Sequence, residues 1–380
     1  MKAALRALAT IGALAGAPAH ASDGARPFEL IRQMQDMQDG VSTGVELRQD
    51  ASDDVLARFV SAVRSGQVDW ADGRNRAALM FYLLTGGEAD LVRPALELAP
   101  KDVSDRKALE QAFQYADAAH SGAEAALDVI DPRDVSPEVA GAVALAQARF
   151  VMERDRPAAR DKLRAARILA PGGLIEEMSL RQEMRLLDSV SELADLQGLV
   201  ERYFVVFSKS VYAPRFLKDF ESLGERIWKE QAPDKRAAML NALGLLPDEA
   251  RMRIGLRLAR AALVHGDRTN ALSTINATCG PPRSGSSSDE RCALYRVLAV
   301  IYDDAAVPAA MSQSPSLHLE TVDRLLRHCA RMLMEDGDAS GAGAPHERDT
   351  SSERGDEQSA ATQGALAQIE DAERLLASRQ

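Results

Sequence analysis

Apolar residues recur three and four apart along almost the whole chain, the spacing of a single buried helix face. Phe28, Ile31 and Met34 mark a first helix, with Pro27 at its start. Leu56, Phe59, Val60 and Val63 predict a second, capped by Asp53 or Asp54 and stopped by Gly66. Ala77 to Leu84 predicts a third, ended by Gly86 and Gly87. The same spacing predicts helices over Asp105–His120, Pro137–Met152, Gly173–Leu187, Ser191–Phe207, Pro214–Lys229 and Asp248–His265. Asp289–Tyr302 and Leu317–Met334 close the main body. No alternating run of strand length occurs, so the expected fold class is all-α.

Part of this pattern repeats. A helix ends in a turn, a shorter helix follows, and a proline closes the unit. Four copies close at Pro100, Pro132, Pro171 and Pro281, the first three spaced by 32 and then 39 residues. Two-helix repeats of the tetratricopeptide kind have a period of about 34 residues. The Trp, Leu-Gly and Tyr positions of that motif are absent. The expectation is therefore a solenoid-like body of degenerate helical hairpins over 22–334, with an ordinary irregular helical domain as the plainer reading.

The two ends differ from the body. Lys2 and Arg6 precede a short apolar stretch, Ala7 to Ala17, and Ala19-His20-Ala21 follows. This is the pattern of a secretory signal peptide at 1–21, cleaved near Ala21–Ser22. Residues 335–363 are Gly, Ser, Ala, Asp and Glu with almost no large apolar side chain, the composition of an acidic disordered linker. Leu366, Ile369 and Leu376 then return at near-helical spacing, predicting a short amphipathic helix at 364–380. Docking back on the body is its simple reading, and gripping a partner's groove the other.

Composition narrows the function. Hydrophobic residues make up 46% of 380, ample for a large core, and aromatics only 4%. The net charge is -11, and no basic stripe offers itself to phosphates, so nucleic acid is not an expected partner. After the leader, no segment approaches the roughly 18 apolar residues that a membrane helix needs.

Candidate chemistry is sparse. Cys279 and Cys292 bracket a Ser-rich loop, and in an oxidising compartment the pair should form a disulfide. Cys329 is left over, beside Leu325, Leu326 and Met332, and reads as buried in a helix interface. Cys279, Cys292, His328 and Cys329 lack the short paired spacing of a zinc site. His120 and His265 fall at helix ends, where a cation suits the dipole. Ser104-Asp-Arg-Lys107 fits S-x-x-K, but S-D-N and K-T-G are missing, so Ser104 reads as a helix cap. Glu176 and Glu177 are adjacent and should point to different helix faces. No catalytic set, metal site or cofactor is expected. Aromatics gather between Tyr203 and Trp228. Core packing at a helical corner explains them, and so would a partner-binding anchor. Tyr212, in the turn, is the best candidate contact, with Phe216 beside it.

Four stretches resemble the MotC family of periplasmic motility proteins from alphaproteobacteria. They are PFELIRQMQDMQDGVSTG at 27–44, RAALMFYLLTGGEADLVRPAL at 76–96, LAPGGLIEEMSLRQEMRLL at 169–187 and FSKSVYAPRFLKDF at 207–220. The resemblance implies an exported, non-enzymatic protein required for flagellar rotation. It also implies association with the periplasmic part of the stator protein MotB. Two alternatives carry different expectations. A generic periplasmic adaptor for envelope or secretion assembly would share the architecture. An enzyme acting on peptidoglycan would need a nucleophile, base or metal set that the sequence does not display.

Overall fold

The structure, a computed structural model, describes residues 26–46, 49–117, 123–230, 232–280 and 287–300, with Asp323, Leu326 and His328. The leader at 1–21, the linker at 335–363, the terminal helix at 364–380, Cys329, His120 and most of the Leu317–Met334 helix lie outside them. Among the described residues every regular element is a helix and there is no strand. The chain divides into two compact units, one of residues 1–188 and 201–220, the other of 189–200 and 221–380.

The first unit begins with α1 (Pro27–Ser42), which carries Pro27 in its first turn as expected. In α2 (Gln49–Arg64), Asp53 and Asp54 lie inside the helix rather than capping it. Asp50 in its first turn suits the helix dipole instead. α3 (Gly73–Leu84) starts before Ala77, because the Asp72 side chain accepts the Arg74 N–H and caps it. α4 (Ala89–Leu98), α5 (Arg106–Asp117), α6 (Ala123–Asp128), α7 (Pro137–Val151), α8 (Arg156–Leu169) and α9 (Leu174–Leu186) follow. Consecutive helices pack on each other, α1 on α2, α5 on α6, α7 on α8 and α8 on α9.

Two helices of this unit are buried almost all round. α3 buries every residue from Asn75 to Leu84, and α7 every residue from Val139 to Ala148. A helix with no polar face must sit at the centre. Accordingly α3 packs against α1, α5 and α7. The buried Arg76 of α3 is fully engaged. It donates to the Trp70 and Ala71 carbonyls at 2.7 Å and pairs with Asp105 at 2.9 Å. Asp105 is the residue immediately before α5. Ser104 stands further out in an exposed turn, so it is not the cap the sequence suggested.

The expected Ser191–Phe207 helix is two helices. α10 (Val190–Leu193) is closed by a capping box in which Ser189 and Glu192 satisfy each other's backbone. α11 (Leu196–Phe207) starts after a break at Ala194 and Asp195. α12 (Ala213–Lys229) follows a tight turn. In the second unit come α13 (Pro233–Leu243), α14 (Asp248–Val264), α15 (Arg268–Thr278) and α16 (Ser287–Val300). The pairs α14–α15 and α15–α16 again pack in chain order, and α10 packs on α13. His265 ends α14 as expected. Asp267 caps α15 and also pairs with the buried Arg236 at 3.0 Å. Cys279, at the end of α15, is joined to Cys292 of α16 by a disulfide with 2.04 Å between the sulfurs. That bond removes both cysteines from any metal set. His328 is exposed.

Candidate interaction surface

The first unit builds its most unusual polar arrangement on α9. The helix starts after a two-glycine turn, and Gly173 has no side chain to cap it. Asp39 of α1 supplies the cap, its Oδ1 accepting the Leu174 N–H at 2.7 Å. A Cβ on Gly173 would lie 2.2 Å from that carboxylate, so glycine is required by the close approach.

Three carboxylates of α9 are buried. Glu176 takes both ends of the Arg202 guanidinium, at 2.6 and 2.8 Å. Glu177 has no exposed surface. Its Oε1 accepts the Tyr203 hydroxyl and the Ser210 hydroxyl, each at 2.6 Å. Its Oε2 has no hydrogen-bond partner among the described residues. Burial pushes the Glu177 carboxyl above the usual range, against the pull of those two hydrogen bonds and of Arg181. Burial and the neighbouring Glu177 push the Tyr203 phenol up in turn. Glu183 meets Arg164 and Arg167 at 3.2 Å each.

Glu177 thereby ties α9 to the corner between α11 and α12. Ser210 Oγ also accepts the Tyr212 N–H at 3.0 Å and fixes the turn. Inside the corner, Tyr203 stacks on Phe216 with ring centroids 3.7 Å apart, and Phe204 meets Phe216 edge-on at 5.6 Å. Phe216 is completely buried, so it anchors the core and is not a surface contact. Tyr212 differs. It is half-buried, with the Arg181 guanidinium 4.8 Å from its ring centroid. Of the two residues proposed from sequence as partner contacts, only Tyr212 retains surface. Val211, the residue before it, is 56% exposed, and Val205 near the end of α11 is 73% exposed.

The sequence reading passed over Glu177 and Glu183 as site residues. A signal was present. Glu177 lies in phase with Leu180 and Met184, and Glu176 with Leu180 and Glu183, so these carboxylates fall on the apolar stripe of their helix. Charged residues there demand partners.

Among the described residues no group of three or more His, Cys, Asp or Glu is placed to hold a metal ion. No described helix is long and apolar enough to cross a membrane. The arrangement on α9 and the corner is one of fixed hydrogen bonds and ion pairs, with Val205 and Val211 exposed nearby in sequence.

Comparison with known proteins agrees with the resemblance seen in the four stretches. The chain is 27% identical over 356 residues to the chemotaxis protein MotC of Rhizobium meliloti (strain 1021), covering 87% of this chain and 77% of that protein. No solved structure matches. The sequence model of the family described as Chemotaxis protein MotC matches residues 1–378, almost the whole length, and the chain belongs to that family.

Proposed function

We propose that this chain is an exported, non-enzymatic motility protein that works in the periplasm. It binds the periplasmic part of the stator protein MotB and supports rotation of the flagellar motor. The match of the MotC family to residues 1–378 carries this reading. The MotB partner and the compartment come from the resemblance. The Cys279–Cys292 bond supports an oxidising compartment. The Lys2/Arg6, apolar and Ala19-x-Ala21 series supports export with cleavage near Ser22. Degenerate tetratricopeptide-like hairpins stacked as a solenoid would give such a protein an extended surface for its partner. Helices that pack in chain order support that architecture.

The test pairs genetics with binding. Deleting the gene should leave cells with filaments that do not swim. The purified chain from Ser22 onward should retain the periplasmic part of MotB in a pull-down. Normal swimming after deletion would overturn the motility reading. Failure of the pull-down, with swimming lost, would overturn the choice of partner.

A further inference from the structure

Exposed large apolar side chains are few among the described residues, and they are unevenly placed. Val205 and Val211 lie on the corner between α11 and α12 at 73% and 56% exposure. Val45 is also exposed, at 59%. It directly follows Gly44, whose backbone packs so closely on Lys209 that a Cβ there would lie 2.6 Å from the Lys209 carbonyl oxygen. The half-buried Phe204 and Tyr212 complete the apolar tip. The others, such as Leu98 and Val129, are separated along the chain. Single exposed apolar residues are ordinary, whereas a cluster calls for a cover.

Charge around the tip runs against the chain. The whole protein carries -11, yet exposed Lys209, Arg215 and Lys218 rim the corner. Arg181, Arg185, Arg215 and Lys218 all act on one acid, Asp219, which is itself half-buried and whose carboxyl burial pushes up. Glu46 and Glu201 are the exposed acids nearest in sequence, and Arg202 is taken up by Glu176. Residues 202–218, which form the corner, include Arg202, Lys209, Arg215 and Lys218 and no acid, an excess of cations on an acidic protein.

The tip is also rigid. Glu177 holds Tyr203 and Ser210, Ser210 holds the Tyr212 backbone, and Tyr203 stacks on Phe216. A preformed surface loses little entropy on binding.

We infer that the α11–α12 corner is the docking surface for an acidic segment of a partner polypeptide. Its apolar side chains seat on Val205, Val211 and Tyr212, and its carboxylates meet Lys209, Arg215 and Lys218. The inference rests on the reading that this protein acts by binding a partner, and adds the surface and the chemistry of the segment.

The experiment titrates the mature chain with a labelled periplasmic part of MotB at low and at moderate salt. Three variants are compared with the natural sequence. Val205→Asp/Val211→Asp puts charge into the tip. Lys209→Glu/Arg215→Glu/Lys218→Glu reverses the rim. Leu98→Asp alters an exposed apolar residue elsewhere. All change exposed side chains, and circular dichroism confirms folding. Both corner variants should weaken binding by about tenfold or more, and Leu98→Asp should not. The charge-reversed variant should also lose the salt dependence of the natural chain.

MotB binding that is equal in all three variants overturns the corner as the surface and leaves the partner reading standing. Self-association by light scattering that the corner variants abolish, without effect on MotB binding, assigns the tip to a second copy and overturns the acidic segment. Binding to anionic vesicles with the same sensitivity, and none to MotB, assigns it to a lipid surface and overturns it likewise. If the natural chain binds none of these, the partner reading fails, and the inference fails with it.

Discussion

A single buried carboxylate shows how far one residue can bind a site together. Glu177 is in contact with Tyr203 and Ser210 and feels Arg181 one turn away. Burial holds its carboxyl above the unfolded value. The stability it contributes is therefore fully present below the ordinary carboxylate range, around pH 4.3, and is lost as pH rises through its own raised value. Glu177→Gln keeps an acceptor for both hydroxyls and removes the charge. Its melting temperature should equal or exceed that of the natural protein at pH 7, and the gap should close as pH falls toward the ordinary range. Glu177→Ala should behave oppositely. It leaves two buried hydroxyls without their acceptor, a loss of about 1–3 kcal/mol for each. Thermal melts of the three proteins at neutral and acid pH make the comparison. A Gln variant that melts well below the natural protein at pH 7 would show that the charged form is favoured. Such a residue is only half legible in a sequence. The apolar phase of α9 says that Glu177 is buried, but its partners come from residues 203 and 210, and no local pattern announces that pairing. Phe216 and Tyr212 diverged for a similar reason. Both belong to one aromatic cluster, and only the stacking on Tyr203 decides which ring turns inward.

Helices were legible where their own residues dictated them. Pro27 and Pro137 set starts that local rules anticipate, whereas the capping acids Asp72 and Asp267 start α3 and α15 where no start was expected. The break between α10 and α11 was less visible, because Val190, Leu193, Leu196 and Leu199 keep helical phase across it. α13 also escaped notice, since it buries only Arg236, Met239, Ala242 and Leu243 and so shows a weak stripe. α9 belongs to a third kind, a helix whose start is completed from far away. Its cap is Asp39, which donates nothing to a sequence reading of residues 170–187. Gly173→Ala should destabilise the protein by about 1–3 kcal/mol, because a methyl would overlap a carboxylate that is already anchored. Adding Asp39→Ala should recover part of that loss, although alone it costs about 1 kcal/mol of cap. Denaturant melts of the two single variants and the double give the coupling. Strict additivity would mean that Asp39 does not form the contact that excludes a side chain at Gly173.

At the scale of the whole molecule, compartment, disulfide and partner depend on one another. The Cys279–Cys292 bond closes a loop with a sequence separation of 13, worth about 3 kcal/mol on the chain-entropy account. Such a bond persists outside the reducing cytoplasm. A chain retained in the cytoplasm would thus lose the bond and also lose access to a periplasmic partner. Two versions expressed in a deletion strain separate these effects. One lacks residues 1–21 and stays inside. The other keeps the leader and carries Cys279→Ser/Cys292→Ser, so it is exported without the bond. The exported serine variant should unfold at lower denaturant, because the bond and two buried thiol sites are changed, yet keep its helical content, since Cys279 only caps the end of α15 and a serine at position 292 leaves the backbone hydrogen bonds of α16 in place. It should restore swimming, because the corner and its rim lie at residues 205–218, distant in sequence from the bond. The leaderless chain should restore none, whatever its thiols do. Swimming restored by the leaderless chain would place the work of this protein inside the cell.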